Sequence, residues 1–459
     1  MSANVVLIST YELGRQPFGL ASPAAWLRQA GASVACLDLA QQRLDEEAVR
    51  GADLVGFYVP MHTATRIASR VVGKVKALNP TAHLCFYGLY APVNEGYLRA
   101  LGADTILGGE FEAGLVSLFR RLRGESRGVA GSPQAEPPIS LAKQQFLVPD
   151  RSGLPPLSGY AHVNVGGGRR RTVGYTEASR GCKHRCRHCP VVPVYDGQFR
   201  IVQRDVVLED IRRQVAAGAE HITFGDPDFF NGVGHALAIV RALHEEHPTL
   251  TYDVTIKIEH LLKHARHLPT LRETGCLFVT SAVESVDNRV LALLDKGHTQ
   301  EDFIQVVHLC RAAGLALTPT FVTFTPWISL EGYQELLWFL AELELIEHVP
   351  PIQLAIRLLI PAGSKLLEVP EVRELVGEFD PAALVYPWKH PDSRVDRLYE
   401  EICALVKEAE ANGQRRREIF TQVWERAERA ANGRLRPLSE AALGRPRATI
   451  PYLSEPWFC

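Results

Sequence analysis

Three cysteines crowd into eight residues of the stretch Arg180-Gly181-Cys182-Lys183-His184-Arg185-Cys186-Arg187-His188-Cys189-Pro190, a C-x3-C-x2-C array. Thiolates this close together in one loop can hold a soft metal or an iron–sulfur cluster. Three of them leave one iron of a four-iron cluster open, which makes a site for chemistry rather than for stability. The competing reading is a structural zinc site with His184 or His188 as fourth ligand, in a zinc-stabilised, non-catalytic binding protein. Structural zinc sites usually draw their ligands as two pairs from separate segments, and the sequence holds no second cysteine pair. Iron–sulfur is therefore the expectation. Cys36, Cys85, Cys276, Cys310 and Cys403 stand alone in apolar or helical surroundings and read as small buried hydrophobes.

Other polar residues fall where a β/α series would expose them. Gly225-Asp226-Pro227-Asp228-Phe229-Phe230-Asn231 follows an apolar run, and Asp226 or Asp228 could accept from an ammonium group. The plainer reading is a turn before a helix N-terminus. Glu284-Ser285 closes another run. Lys257, Glu259, His260 and Arg357 interrupt apolar strands, where an unpaired charge costs several kcal/mol, so they are paired ions or ligand contacts. His62 follows the third run as an ordinary loop histidine or a cofactor contact. Arg169–Arg171 and Arg415–Arg417 read as solvated faces.

The elements that must position these groups form two series. Over the first 125 residues, apolar runs at 5–10, 33–39, 54–59, 83–88 and 105–109 alternate with helical patterns such as Ala64–Leu78 and Phe111–Leu122. Continuous apolar strands separated by helices predict a doubly wound parallel sheet with ligands beyond the strand C-termini. A Gly/Ser/Pro-rich stretch follows and reads as a linker or bridging arm. Runs at 172–179, 221–226, 252–259, 276–283, 316–324 and 352–360 then predict six more strands, an incomplete barrel or an open sheet of the same winding. After Pro387 the pattern is helical and charged. The 459 residues exceed one ordinary core, with 46% hydrophobic and 22% charged residues and a net charge of -2. That balance argues against a broad nucleic-acid surface. No segment is apolar enough for a membrane span and no signal peptide opens the chain, so a cytoplasmic protein is expected, in a reducing compartment that disfavours disulfides.

The cysteine spacing resembles that of the radical S-adenosylmethionine (SAM) enzymes. The resemblance implies a [4Fe–4S] cluster on Cys182, Cys186 and Cys189 in the loop after the first barrel strand, with SAM on the open iron and reductive cleavage of a sulfonium C–S bond. His188 departs from the aromatic residue often found before the third cysteine. By the same resemblance, Gly225, Asp226 and Asp228 occupy the stretch that meets the SAM amino group. Glu284 and Ser285, in SAVESVDNRVLALLDKGHT, resemble the "ES…VL…KG" segment of members with a cobalamin domain, and Lys257 and Arg357 are further candidate cofactor contacts. The N-terminal series is similar to a cobalamin-binding domain, although no Asp-x-His-x-x-Gly signature is present. Cobalamin is thus a candidate cofactor, and cobalamin-dependent methylation an alternative activity.

The end of the chain, SEPWFC, places a thiol at Cys459. With IKIEHLL and IRLLIPAGS it resembles radical SAM proteins whose tails end Cys-selenocysteine-Ala-Glu-Pro or Cys-Cys-Ala-Glu-Pro, so a selenocysteine-Ala-Glu-Pro end after Cys459 is an expectation. A soft-ligand pair there suits delivery of trivalent arsenic, and the further likeness to the radical SAM enzyme of arsinothricin biosynthesis implies transfer of a 3-amino-3-carboxypropyl group from SAM to arsenite, with Cys459 as a catalytic thiol. The partners implied are a small-molecule substrate and an electron donor such as flavodoxin or ferredoxin, with neither nucleic acid nor membrane. The expected architecture is α/β: a cobalamin-binding-like Rossmann-type domain over 1–125, a linker over 126–170, a partial (β/α)6 radical SAM barrel over 171–375, and a helical C-terminal region with a Cys-ended tail over 376–459.

Overall fold

The computed structural model describes residues 4–125, 136–431 and 452–453. In the N-terminal series, strands β1 (Asn4–Ser9), β2 (Ser33–Asp38), β3 (Leu54–Tyr58), β4 (His83–Tyr87) and β5 (Thr105–Gly109) form a parallel sheet in the order β2-β1-β3-β4-β5. Both faces are buried, which is why these strands read as unbroken apolar runs. Val6, Ile8, Val55, Phe57 and Phe86 pack on one side, while Val5, Leu7, Leu54, Tyr58, Cys85 and Tyr87 pack on the other. A sixth strand, β6 (Ile139–Ser140), comes from the arm and pairs in parallel with Gly108 and Gly109. A two-residue strand has no periodicity to announce it.

The second series builds a curled sheet. Strands β7 (His162–Asn164), β8 (Arg170–Thr176), β11 (His221–Phe224), β12 (Thr251–Thr255), β13 (Cys276–Glu284) and β14 (Ala316–Phe321) run in the order β14-β13-β12-β11-β8-β7, with β15 (Tyr452–Leu453) on the far edge. Strands β8 and β11–β14 are parallel, whereas β7 is antiparallel to β8 and β15 to β7. A short ribbon of β9 (Ser179–Gly181) and β10 (Phe199–Ile201) stands at the C-terminal end of β8. The helices Ser393–Ala411 and Arg416–Ala430 close the outside, sharing a core with the barrel helices through Ile402, Val406, Phe420 and Val423.

Two strand expectations are corrected. The run 352–360 does not form a sixth strand: Pro350 and Pro351 lack the N–H groups a ladder needs, a 3-10 turn spans Pro351–Ala355, and Arg357 alone bridges Phe324 in parallel. Strand β12 stops at Thr255, so Lys257 is the N-cap of a helix Ile258–Lys263 that carries Glu259 and His260. No helix among the described residues is long and apolar enough to cross a membrane. Cys459 lies outside the described residues.

Candidate active site

The cysteine loop leaves the barrel at Gly181, whose φ of +74° and surroundings admit no side chain: a Cβ there would lie 2.5 Å from the Gln198 carbonyl oxygen. Three elements then pin the loop. Asn231, after β11, accepts from the Lys183 N–H at 3.1 Å and donates to the Gly181 carbonyl at 3.3 Å. The Arg187 N–H donates to the Leu294 carbonyl at 2.9 Å, and its guanidinium caps the helix Asn288–Leu293 at the Leu293 carbonyl, 2.8 Å away. The Cys189 N–H closes a turn onto the Cys186 carbonyl at 3.1 Å.

All three cysteines are free thiols, Cys186 buried and the others half-buried. Burial pushes the Cys182 thiol up to about 11 and that of Cys189 to about 12, so a metal must displace protons to bind them. Around one tetrahedral zinc, sulfurs at about 2.3 Å from the metal stand about 3.8 Å apart. Among the described residues, the group of three ligand atoms that all lie within 4.8 Å of one another is Cys182, His184 and Asp228, and the three cysteines are not such a group. Neither histidine completes a set with the three sulfurs: His188 Nε2 sits 3.1 Å from Glu284 Oε1, and His184 Nε2 lies 3.5 Å from Asp228 Oδ2. Free thiols this spread suit a larger cluster better than one ion.

Beside them lies a buried charge pair. Lys296 Nζ is 3.4 Å from Glu284 Oε1. Burial works against both charges, but Lys296 and His188 hold the Glu284 carboxyl down at about 2, and Glu284 with Cys186 and Cys189 keeps Lys296 above its ordinary value. Glu284 takes a φ of +70°, uncommon for a residue with a side chain, where the β13–β14 register slips. That irregularity re-aims its carboxylate toward His188 and Lys296. His298, two residues on, is buried and feels the charges of Lys296 and Lys257. Burial and both ammonium groups push it down to about 4, so the ring is neutral at pH 7.

The remaining candidates are held as follows. Gly225 leaves room for Tyr175, whose hydroxyl would lie 1.8 Å from a Cβ there. Asp226 accepts from the Ala178 N–H at 2.9 Å and the Ser179 hydroxyl at 2.6 Å, which ties β11 to the strand leading into the cysteines. Burial pushes it up to about 7. Asp228 caps Phe230 N–H at 3.1 Å and turns its other oxygen to His260 Nδ1, 2.6 Å away but off the line of a good hydrogen bond. Lys257 Nζ lies 3.4 Å from Glu259, and the Ser285 hydroxyl accepts from Asp287 N–H at 3.1 Å. Arg357 pairs with Asp396 at 2.8 Å, donates to the Trp388 carbonyl at 2.8 Å and stacks on the Trp388 ring. Neither Asp396 nor Trp388 belongs to the cysteine site. His62 meets the Ala383 carbonyl at 2.6 Å.

The two sheets meet over this site. Arg180, from β9, reaches between Glu112 (2.7 Å), Glu110 (3.3 Å) and Glu177 (2.7 Å), and Tyr195 donates to Glu110 at 3.1 Å. A cavity of about 180 Å³ remains beside them, lined by Glu12, Arg15, Tyr58, Tyr175 and Glu177 among others, with Gly225 and Gly181 on its barrel side. Sequence reasoning missed Lys296, His298 and Arg180. The first two stand in the quoted KGHT stretch, but their burial was not legible there.

Residues 176–337 match the radical SAM superfamily. That match to a radical SAM domain covers about a third of the chain. A domain of this kind holds a [4Fe–4S] cluster and SAM, and the three free cysteines fit the first. A ribosomal protein uS12 methylthiotransferase RimO from Pelotomaculum thermopropionicum is 24% identical over 241 residues, covering 48% of this chain and 51% of that one. An uncharacterized methyltransferase, PH0819, from Pyrococcus horikoshii is 23% identical over 217 residues, covering 47% and 46%. The chain thus spans about half the length of the curated relatives it matches. Two solved structures share the fold. The radical enzyme OxsB, with aqua-cobalamin and SAM bound, aligns with a TM-score of 0.69 at 16% identity over 90% of this chain and 67% of that one. The methyltransferase TsrM from Kitasatospora setae, with cobalamin and a [4Fe–4S] cluster bound, aligns with a TM-score of 0.60 at 19% identity over 75% and 74%. The cavity of about 180 Å³ between the sheets is smaller than the roughly 300–1,000 Å³ typical of pockets for drug-sized ligands.

Proposed function

We propose that this chain is a radical SAM transferase acting on a small molecule, with Cys182, Cys186 and Cys189 as cluster ligands and an electron carrier such as flavodoxin or ferredoxin as donor. The observation that carries the reading is the trio of free, loop-pinned thiols beside the buried Glu284–Lys296 pair, inside the segment that matches the superfamily. The bound cluster and SAM supply a one-electron cleavage of a sulfonium C–S bond. The chain's own residues bind and exclude. Asp228 and Glu284 are the carboxylates that meet the SAM amino group and ribose, Lys296 neutralises thiolate charge, and the sheets on both sides keep water from the reacting groups. Gly225 and Asp226 shape the strand end beneath SAM, and Lys257 with Ser285 completes the rim.

The substrate we propose is trivalent arsenic, which receives the 3-amino-3-carboxypropyl group of SAM. Support comes from the soft thiol of Cys459 together with the direction of β15. That strand is antiparallel to β7 and so parallel to β8, running from Tyr452 to Leu453 in the direction of the sheet end that bears the cysteines. Anaerobic assays with SAM, a reductant and arsenite are expected to give methylthioadenosine and an arsenic–carbon product, and Cys459→Ala is expected to lose that product while SAM still binds. Formation of 5′-deoxyadenosine alone in the presence of arsenite would reject carboxypropyl transfer.

A further inference from the structure

The doubly wound sheet has its switch point between β1 and β3, where a ligand of such a fold sits beyond the strand ends. Side chains fill that position here. Tyr58, at the end of β3, lies against the helix Phe18–Gln29 so closely that a Cβ on Gly19 would stand 2.1 Å from its ring, and Tyr87 donates to the Gly19 carbonyl at 2.9 Å. Tyr58, Tyr87 and Phe111 pack ring on ring, with centroids 5.0–6.0 Å apart. The glycine pair at the end of β5 is covered as well. A Cβ on Gly108 would strike Pro92 at 2.5 Å, and one on Gly109 would strike the Ser140 carbonyl at 2.2 Å, because β6 of the arm lies there. Across the gap, Arg180 stacks over Phe18, Phe111 and Phe146 while holding its three carboxylates. About 180 Å³ is left.

We infer that this chain keeps the fold of its cobalamin-carrying structural neighbours but takes no cobalamin, its aromatic and ionic side chains standing where the corrin would lie. The remaining chamber has room for a compact molecule only; apolar side chains such as Phe18, Met61 and Phe111 line most of it, and Glu12, on the N-terminal side, has its Oε2 buried without a hydrogen-bond partner among the described residues. On this inference the chain's reaction does not run through cobalamin. The inference rests on the packing of the N-terminal sheet and stands apart from the cluster assignment.

The test loads the full chain anaerobically with iron, sulfide and excess hydroxocobalamin, beside a cobalamin-binding protein of the same fold as positive control, then desalts both. Metal analysis of the chain is expected to find iron but no cobalt above a no-protein blank, and hydroxocobalamin is expected to leave the melting temperature unmoved. Retention of one cobalt per chain, or a rise in Tm that saturates with hydroxocobalamin, would overturn it. Iron and cobalt are read separately, so loss of iron would fault the cluster assignment while the cobalt reading still decides this one.

Discussion

Glu284 and Lys296 are both buried, and each holds its charge because the other is there. Replacing Glu284 by Gln leaves a buried ammonium without its partner, which is expected to cost about 3–5 kcal/mol in urea unfolding of the metal-free chain at pH 7. The sign with pH follows from the depressed carboxyl. With an ordinary value of 4.5 and a folded value of about 2, Glu284 contributes stability that is full above about pH 4.5 and lost as pH falls toward 2. The gap between wild type and Glu284→Gln should therefore narrow below about pH 4.5, and a gap independent of pH would argue that the pair is not ionised. At this scale the sequence was legible where chemistry is local. Three thiols in eight residues carry their meaning in their spacing, whereas Lys296 depends on a carboxylate 12 positions away and Arg180 on carboxylates as far as 70 positions away.

The loop from Cys182 to Cys189 is held by β9, by Asn231 and by the helix Asn288–Leu293, yet Lys183 and Arg185, both between Cys182 and Cys186, stay exposed. A cationic rim around a cluster suits an acidic electron carrier through charge complementarity. Lys183→Glu with Arg185→Glu is expected to slow turnover supported by flavodoxin roughly tenfold or more at low salt, to lose most of the salt dependence, and to leave dithionite-supported turnover unchanged. Equal loss with both reductants would place the two residues in loop stability instead. The strands that position this loop were largely readable from their apolar runs: β1–β5 fall within a residue of the expected limits. The run 352–360 misled because its apolar content resembles a strand while Pro350-Pro351 blocks one, and β6, β7 and β15 are too short for any period to show.

Across the whole molecule, the C-terminal ends of two sheets face each other, and Arg180 is the post between them. Arg180→Met leaves Glu110, Glu112 and Glu177 buried without their cation and is expected to lower stability by about 3–5 kcal/mol in urea unfolding; Lys should not restore it, because an ammonium cannot bridge three carboxylates as a guanidinium does. Full rescue by Lys would show that charge alone matters there. This contact joins residues about 70 apart and had no trace in either half read by itself, although the order of the two β/α series did give the layout. The account as a whole depends on what the three cysteines hold. Iron and acid-labile sulfide analysis of the anaerobically reconstituted chain, with and without alanine at Cys182, Cys186 and Cys189, measures that directly. About four irons and four sulfides per chain, lost in the triple variant, is the predicted result; one zinc without sulfide, or iron content unchanged by the three substitutions, would contradict it.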